Sequence, residues 1–505
     1  MFRCKSRKNQ GIYHYEKTPV STFDLAIILI GLATFLTIAE PVFASPVTET
    51  SALDVGQSLP LWTIIPFVGI LLSIALCPLM TPNFWHRHFG KVSAFWGLLF
   101  AIPFLCTYRD AAFESIVHIV LIDYIPFIIL LWGLFTISGG IMISGSLRGT
   151  PLMNTVLLII GTLLASWVGT TGASMVMIRP VLRANRGRIH KAHIICYFIF
   201  LVANIGGALT PLGDPPLFLG FLHNVPFFWV TTHIFPHFLV TAALLLLFFY
   251  TVDTYYYRKE TVFREGPAEE KTTLHIDGLC NLVLLAGVIG IILVSGFWKA
   301  GFVTFLGVTV EFQNLLRDAV IMILGFFSLR LTPKTLRAAN EFSWGPIQEV
   351  AKLFAGIFIT IVPVLAILKA GSEGAMAGLV EAVQTPACFL WISGILSSFL
   401  DNAPTYLSFF TMALGKTGLT EAQIPTALAS GAAMANPAFI SYLTAISVGT
   451  VFMGAISYIG NAPNFIIKSI AEESGVNMPG FFGFMFKYSI PVLIPIFILV
   501  TLIFF

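Results

Sequence analysis

Apolar residues run through this chain in long blocks separated by short polar punctuation. The blocks fall at about 60–80, 92–108, 116–138, 152–168, 194–222, 234–257, 279–297, 318–332, 351–370, 387–414, 436–470 and 488–505. Most are long enough to cross a bilayer as helices, which takes about 20 apolar residues. A helix also satisfies its own backbone polar groups in lipid. A transmembrane barrel would show alternating segments of about ten residues instead, and the chain has none. The pattern predicts an all-α polytopic membrane protein.

Composition narrows the choice. Of 505 residues, 57% are hydrophobic and 10% charged, where an average soluble domain carries roughly 25% charged residues. With a mean hydropathy of +0.88, too little polar surface exists to cover a water-soluble globule of this size. The net charge of +3 is small, and no basic stripe points to nucleic acid as a partner. The bilayer is the expected partner. Six cysteines (Cys4, Cys77, Cys106, Cys196, Cys280, Cys388) are scattered without a C-x-x-C pair. Most lie in apolar runs and read as buried thiols.

Charge placement orients the spans. Residues 1–20 carry Arg3, Lys5, Arg7, Lys8 and Lys17 against Glu16, and an apolar run follows to Ala44. Residues 1–44 read as a secretory signal cleaved after Ala44, or as an uncleaved anchor helix. Either reading leaves residue 45 outside and suits a bacterial inner membrane. The segments 179–191 (Arg179, Arg183, Arg186, Arg188, Lys191) and 258–277 (Arg258, Lys259, Arg264, Lys271) read as cytoplasmic by the positive-inside rule. The stretch 415–430 reads as external. Counting crossings then requires 152–182 and 387–414 each to return to its own side, as re-entrant hairpins opening to opposite faces. The domain plan that follows has a first repeat at 45–257, an inter-repeat loop at 258–277 and a second repeat at 278–505. The two repeats are inverted, each with a re-entrant hairpin and a broken transmembrane helix.

The repeat is also visible in the letters. Gly207-Ala208-Leu209-Thr210-Pro211-Leu212-Gly213-Asp214-Pro215-Pro216-Leu217-Phe218 aligns with Gly454-Ala455-Ile456-Ser457-Tyr458-Ile459-Gly460-Asn461-Ala462-Pro463-Asn464-Phe465, with five of twelve positions identical at an offset of 247. Glycine and proline at Gly213, Pro216, Gly460 and Pro463 predict a break in each span. Unwound backbone at membrane depth is tolerated where it lines a cavity, and its carbonyls and half-helix ends bind ions and substrates. The hairpin tips, Gly169-Thr170-Thr171-Gly172 and Ser397–Thr405, are polar.

Candidate binding residues are therefore Thr170, Thr171, Asn204, Thr210, Gly213, Asp214, Asp401, Asn402, Thr405, Ser457, Gly460, Asn461 and Asn464. Charge inside a membrane is costly and usually marks an ion path. Asp214 precedes two prolines and reads equally as a binding group or a helix cap. Asp401 is the preferred carboxylate for competition between a cation and a proton, and Asp401 with Asn402 is the candidate sodium site. Asp123 is a weaker third carboxylate, and His118 is placed near the outer interface.

These residues resemble a known group. The run Asn204–Leu222 resembles the first broken helix of the ion transporter superfamily, closest to its NhaD-type sodium:proton antiporter and citrate-transporter-like members. Ser398–Thr405 and Gly460–Asn464 match the second half. The resemblance covers the chain after residue 50. It implies two inverted repeats, a homodimer and an elevator-type movement. In the superfamily's dicarboxylate transporters both hairpin tips carry Ser-Asn-Thr; here Gly169-Thr170-Thr171 and Asp401-Asn402-Ala403 stand instead. The added negative charge disfavours an anion and favours a cation. The expected function is exchange of sodium or lithium for protons, with cation-coupled transport of citrate or a related di- or tricarboxylate as the alternative. No cofactor is expected beyond the transported ions. An enzyme is the least supported class, because the chain lacks H-E-x-x-H, G-x-S-x-G and P-loop motifs.

Overall fold

The computed structural model describes residues 56–145, 147–260, 275–340, 342–429 and 435–505. The amino-terminal signal or anchor segment and most of the 258–277 loop lie outside the described residues.

The first half contains α1 (Ile65–Met80), α2 (Pro82–His118), α3 (Ile125–Ser138), α4 (Pro151–Val168), α5 (Thr170–Ala184), α6 (Ala192–Leu201), α7 (Pro215–Leu222) and α8 (Phe227–Lys259). The second contains α9 (Leu279–Phe297), α10 (Phe312–Leu331), α11 (Gly345–Thr360), α12 (Val362–Lys369), α13 (Pro386–Phe399), α14 (Asn402–Thr417), α15 (Pro437–Met453), α16 (Ala462–Glu473) and α17 (Ile490–Phe504). Among the described residues, nine helical stretches are long and apolar enough to cross a membrane, or ten if the bent pair α11–α12 is one span. The chain is an all-α, multi-pass membrane protein. Among the described residues, the few strands form two short antiparallel ladders. Strand β1 (Met142–Ser144) pairs with β2 (His275–Asp277), and β3 (Phe302–Phe305) with β4 (Val308–Glu311).

Each segment expected to be a hairpin is a pair of helices joined at a short tip, and the same local device starts each one. Thr150 and Thr385 precede Pro151 and Pro386, and their hydroxyls accept from the backbone N–H of Met153 at 3.3 Å and of Cys388 at 3.2 Å. Proline suits the first helical position because its missing N–H would have no helical partner. The hairpins differ at their tips. Gly169 alone joins α4 to α5, at φ 79°, a left-handed value suited to glycine. The extended pair Leu400-Asp401 joins α13 to α14.

Helices α1, α2, α3, α9, α10 and α11 pack on one another as a frame, with Phe127 of α3 against Phe354 of α11 at 4.9 Å between ring centroids. The two hairpins, α6–α8 and α15–α17 form an inner bundle. Its centre is the pair of broken spans: 89% of the Ala192–Leu209 window and 83% of the Pro437–Ile456 window are buried, against 28% for Leu279–Phe297 on the frame. Burial on every side removes the need for a polar face toward water. Arg188, one of the orienting charges, is itself buried, with Asp253 at 2.6 Å and Glu260 at 3.1 Å. Burial with paired carboxylates is how such a charge is tolerated away from water.

Candidate substrate site at the paired helix breaks

Both broken spans lose helical geometry at matching places. After α6 the chain runs through a 3-10 turn, Ile205–Leu209, and restarts at α7. After α15 it runs through Gly454–Ile456 and restarts at α16. Each break folds back on itself so closely that only glycine fits. A Cβ on Gly213 would stand 2.1 Å from the Gly207 carbonyl oxygen, and one on Gly460 would stand 2.6 Å from that of Gly454.

Hydroxyls fasten each break to its hairpin. Ser166 of α4 donates to the Gly206 carbonyl at 2.5 Å, and Thr210 donates back to the Ser166 carbonyl. In the second half Ser397 donates to the Thr450 carbonyl at 2.6 Å, Ser398 to that of Met453 at 2.9 Å, and Ser457 returns a bond to the Ser398 carbonyl at 2.5 Å. The candidates Thr210 and Ser457 are therefore braces, spent on backbone carbonyls. Ser166, Ser397 and Ser398 were not singled out by the sequence reading, although Ser397 and Ser398 stood in the quoted tip.

Asp214 and Asn461 occupy the residue before α7 and before α16, where a side chain ordinarily caps a helix. Neither caps. Both have extended backbone, at φ −141° and φ −150°. The second helical position is Pro216 in one case and Pro463 in the other, so one of the two usual cap donors is missing. The freed side chains face each other instead. Asn461 Nδ2 donates to Asp214 Oδ1 at 3.0 Å, Thr170 Oγ1 donates to the same oxygen at 3.0 Å, and Asn402 Nδ2 donates to Oδ2 at 2.5 Å. One carboxylate thus gathers both hairpin tips and both breaks. Asn464 extends the join: its Oδ1 accepts from Asn204 Nδ2 at 2.8 Å, and its own amide donates to the Gly454 and Ser457 carbonyls at 2.9 Å each.

The two acids differ in their hydrogen bonds. Asp401 is the cap: its Oδ1 accepts from Ala403 N–H at 3.1 Å, at the second position of α14, where no proline intervenes. Thr405 bonds the Asp401 carbonyl at 3.0 Å and stabilises that same turn. Asp214, for which capping was an equal reading, is the buried centre. Asn402 keeps one buried oxygen, Oδ1, that accepts no hydrogen bond, and so does Asn204. Carboxamide oxygens of this kind are hard donors suited to an alkali cation. No cluster of three or more His, Cys, Asp or Glu side chains able to hold a metal occurs among the described residues.

Beside the join lies a cavity walled on the frame side by Phe127, Leu134 and Phe354 and on the bundle side by Thr171, Asp214 and Asp401. The starts of α5 (Thr170), α7 (Pro215) and α16 (Ala462), and the residue capping α14 (Asp401), all line it. Four helix N-termini, each carrying partial positive charge, therefore converge on one space with two carboxylates at its edge. Asp123 lies elsewhere, buried against His223 at 2.8 Å.

A comparison with curated proteins returns no match. The family model described as "Putative citrate transport" matches residues 56–505. That span takes in every helix described above, and the chain belongs to this family of secondary transporters, within the ion transporter group.

Proposed function

We propose that the protein carries citrate or a related di- or tricarboxylate across the membrane, coupled to a cation. The observation that carries this reading is the convergence of four helix N-termini on one cavity. Aligned peptide dipoles favour an anion at each of them, although α7 opens with Pro215 and Pro216 and adds no free N–H group there. Asp214 does not oppose the anion as strongly as its charge alone suggests, because three neutral donors already satisfy it. Asp401 spends one oxygen on its own helix. Two carboxylates still edge the cavity, so the anion enters with its cation. The family supports the carboxylate over the sodium/proton exchange expected from sequence.

Exchange of sodium or lithium for protons is the second reading. Its support is Asp214, a buried carboxylate with neutral partners only, at which a cation and a proton could compete. In either case the membrane is the bacterial inner membrane, the two halves are inverted repeats, and the carrier works as a homodimer.

Proteoliposomes decide between the two. Uptake of labelled citrate that saturates and rises with an imposed sodium, magnesium or proton gradient is expected. A pH-sensitive dye response to sodium, with no citrate uptake under any gradient, would establish exchange in its place.

A further inference from the structure

A second cluster of ionisable side chains, two of its three members buried, sits where the frame meets the inner bundle. Asp123 lies in the π-helical turn Ile119–Tyr124 between α2 and α3, on the frame. Such widened turns recur at functional positions. His223 directly follows α7, and Glu421 opens the short turn after α14, so both belong to the bundle. His223 Nε2 is 2.8 Å from Asp123 Oδ1, and His223 Nδ1 is 3.0 Å from Glu421 Oε2. The His223 and Asp123 side chains are only 7% and 3% exposed, so water does not replace that contact, while the Glu421 side chain is 31% exposed. The Phe410 ring closes one side, 5.7 Å away between centroids.

An ionised carboxylate only accepts hydrogen bonds, and an imidazole donates through both nitrogens only when both carry protons. A neutral ring would turn one lone pair toward a carboxylate. The three groups together therefore hold one proton more than a neutral histidine and two ionised acids. That surplus depends on Asp123 staying beside His223, which means on frame and bundle staying in contact.

We propose that Asp123, His223 and Glu421 form a proton-binding site assembled across the frame–bundle boundary, filled in the arrangement described here and weakened when the two bodies part. The site is separate from the carboxylates at the helix breaks and does not depend on which substrate the cavity takes. The other ionisable groups facing it are Lys369 at the end of α12 and His118 at the end of α2, both acting on Glu421. His223 and Glu421 lie in the connections between spans. Burial alone would lower the His223 pKa, yet the charges of Glu421 and Asp123 raise it well above the ordinary value. Burial would raise Glu421, but His223, then Lys369 and His118, bring it down to about 2.

The sign of the linkage follows. Contact raises the proton affinity of the ring, so a bound proton favours contact. Below about pH 6.5 the ring is charged in either arrangement and the preference for contact is complete. As pH rises from there toward the raised value, the preference is lost by up to about tenfold per pH unit.

The experiment uses the full-length protein in lipid nanodiscs, with native thiols replaced and spin labels at Phe113 on the frame and Thr420 on the bundle. In the otherwise unaltered protein the ratio of near to far populations should fall as pH rises above neutral, approaching tenfold per unit. In His223→Gln the ratio should not change with pH. An equal slope in His223→Gln, or no slope without the substitution, overturns the proposal; an ion pair that only holds the fold would cost stability without moving this profile. Should His223→Gln fail to fold, histidine-ring NMR at pH 8 decides. A doubly protonated ring whose signal moves in Glu421→Gln supports the site, and neutral-ring signals from all ten histidines overturn it.

Discussion

The two breaks share their glycines, their second-position proline and their brace to a hairpin, and they differ in the residue that precedes each restarted helix. The first offers a carboxylate, Asp214, and the second a carboxamide, Asn461. The amide nitrogen of the second meets the oxygen of the first at 3.0 Å. Two carboxylates there would repel; an amide at 214 could accept from Asn461, but its nitrogen would then face the donating nitrogen of Asn402. The difference between the halves is thus what allows the likeness between them to close into one site.

The comparison can be broken most severely through its glycines. Gly213→Ala should cost about 3 kcal/mol, the upper range for overpacking, because the clash is with backbone at 2.1 Å. Gly460→Ala, with its nearest atom at 2.6 Å, should cost less, and chemical unfolding in detergent measures both. Equal losses would mean that the second break is as tightly closed as the first.

Next comes the charge itself. Asp214→Asn loses charged hydrogen bonds worth about 1.5–3 kcal/mol and turns an amide toward the amides of Asn402 or Asn461. Transport should fall by about a hundredfold, an effect on the order of 3 kcal/mol. The double variant Asp214→Asn with Asn461→Asp moves the carboxylate to the other break. It should recover part of the stability, and failure to do so would show that the site reads position as well as complementarity.

A smaller effect separates the two acids. Asp401→Ala should cost about 1 kcal/mol as a lost cap, while Asp401→Asn should cost only a few tenths, since asparagine caps about as well. Transport by Asp401→Asn should remain near that of the unaltered protein. Loss of transport as deep as in Asp214→Asn would make Asp401 a binding group after all. The smallest change expected is in Pro216→Ala. It restores a cap donor at the start of α7, and a weakened Asp214–Asn461 contact should appear as a modest rise in the substrate concentration for half-maximal uptake.

Much of this architecture is written locally. Twenty-residue apolar runs, Gly-Pro interruptions and polar hairpin tips each depend on neighbours in sequence, so the spans, both hairpins and both breaks can be read from the chain. The Thr-Pro dipeptides at 150 and 385 are equally local, and they mark the hairpin starts once their capping role is seen. The proline after Asp214 was also legible as the reason that acid does not cap. Its partners were not. Asn402 and Asn461 stand 188 and 247 positions further along, and nothing in the chain announces such contacts. The same distance hides the His223 cluster, whose acids come from 100 positions before and 198 after.

The braces at Thr210 and Ser457 have a consequence for how this sequence can drift. Each hydroxyl is given to a main-chain carbonyl, and every amino acid presents that acceptor. That bond places no demand on the side chain that receives it, while the residue that donates must keep a hydroxyl; Ser166 and Ser398 need theirs only for the bonds they return. The two halves already illustrate the permitted exchange, threonine in one and serine in the other. A library randomised at 210 and 457 should return those two residues and reject valine, which matches threonine in shape and has no proton to give.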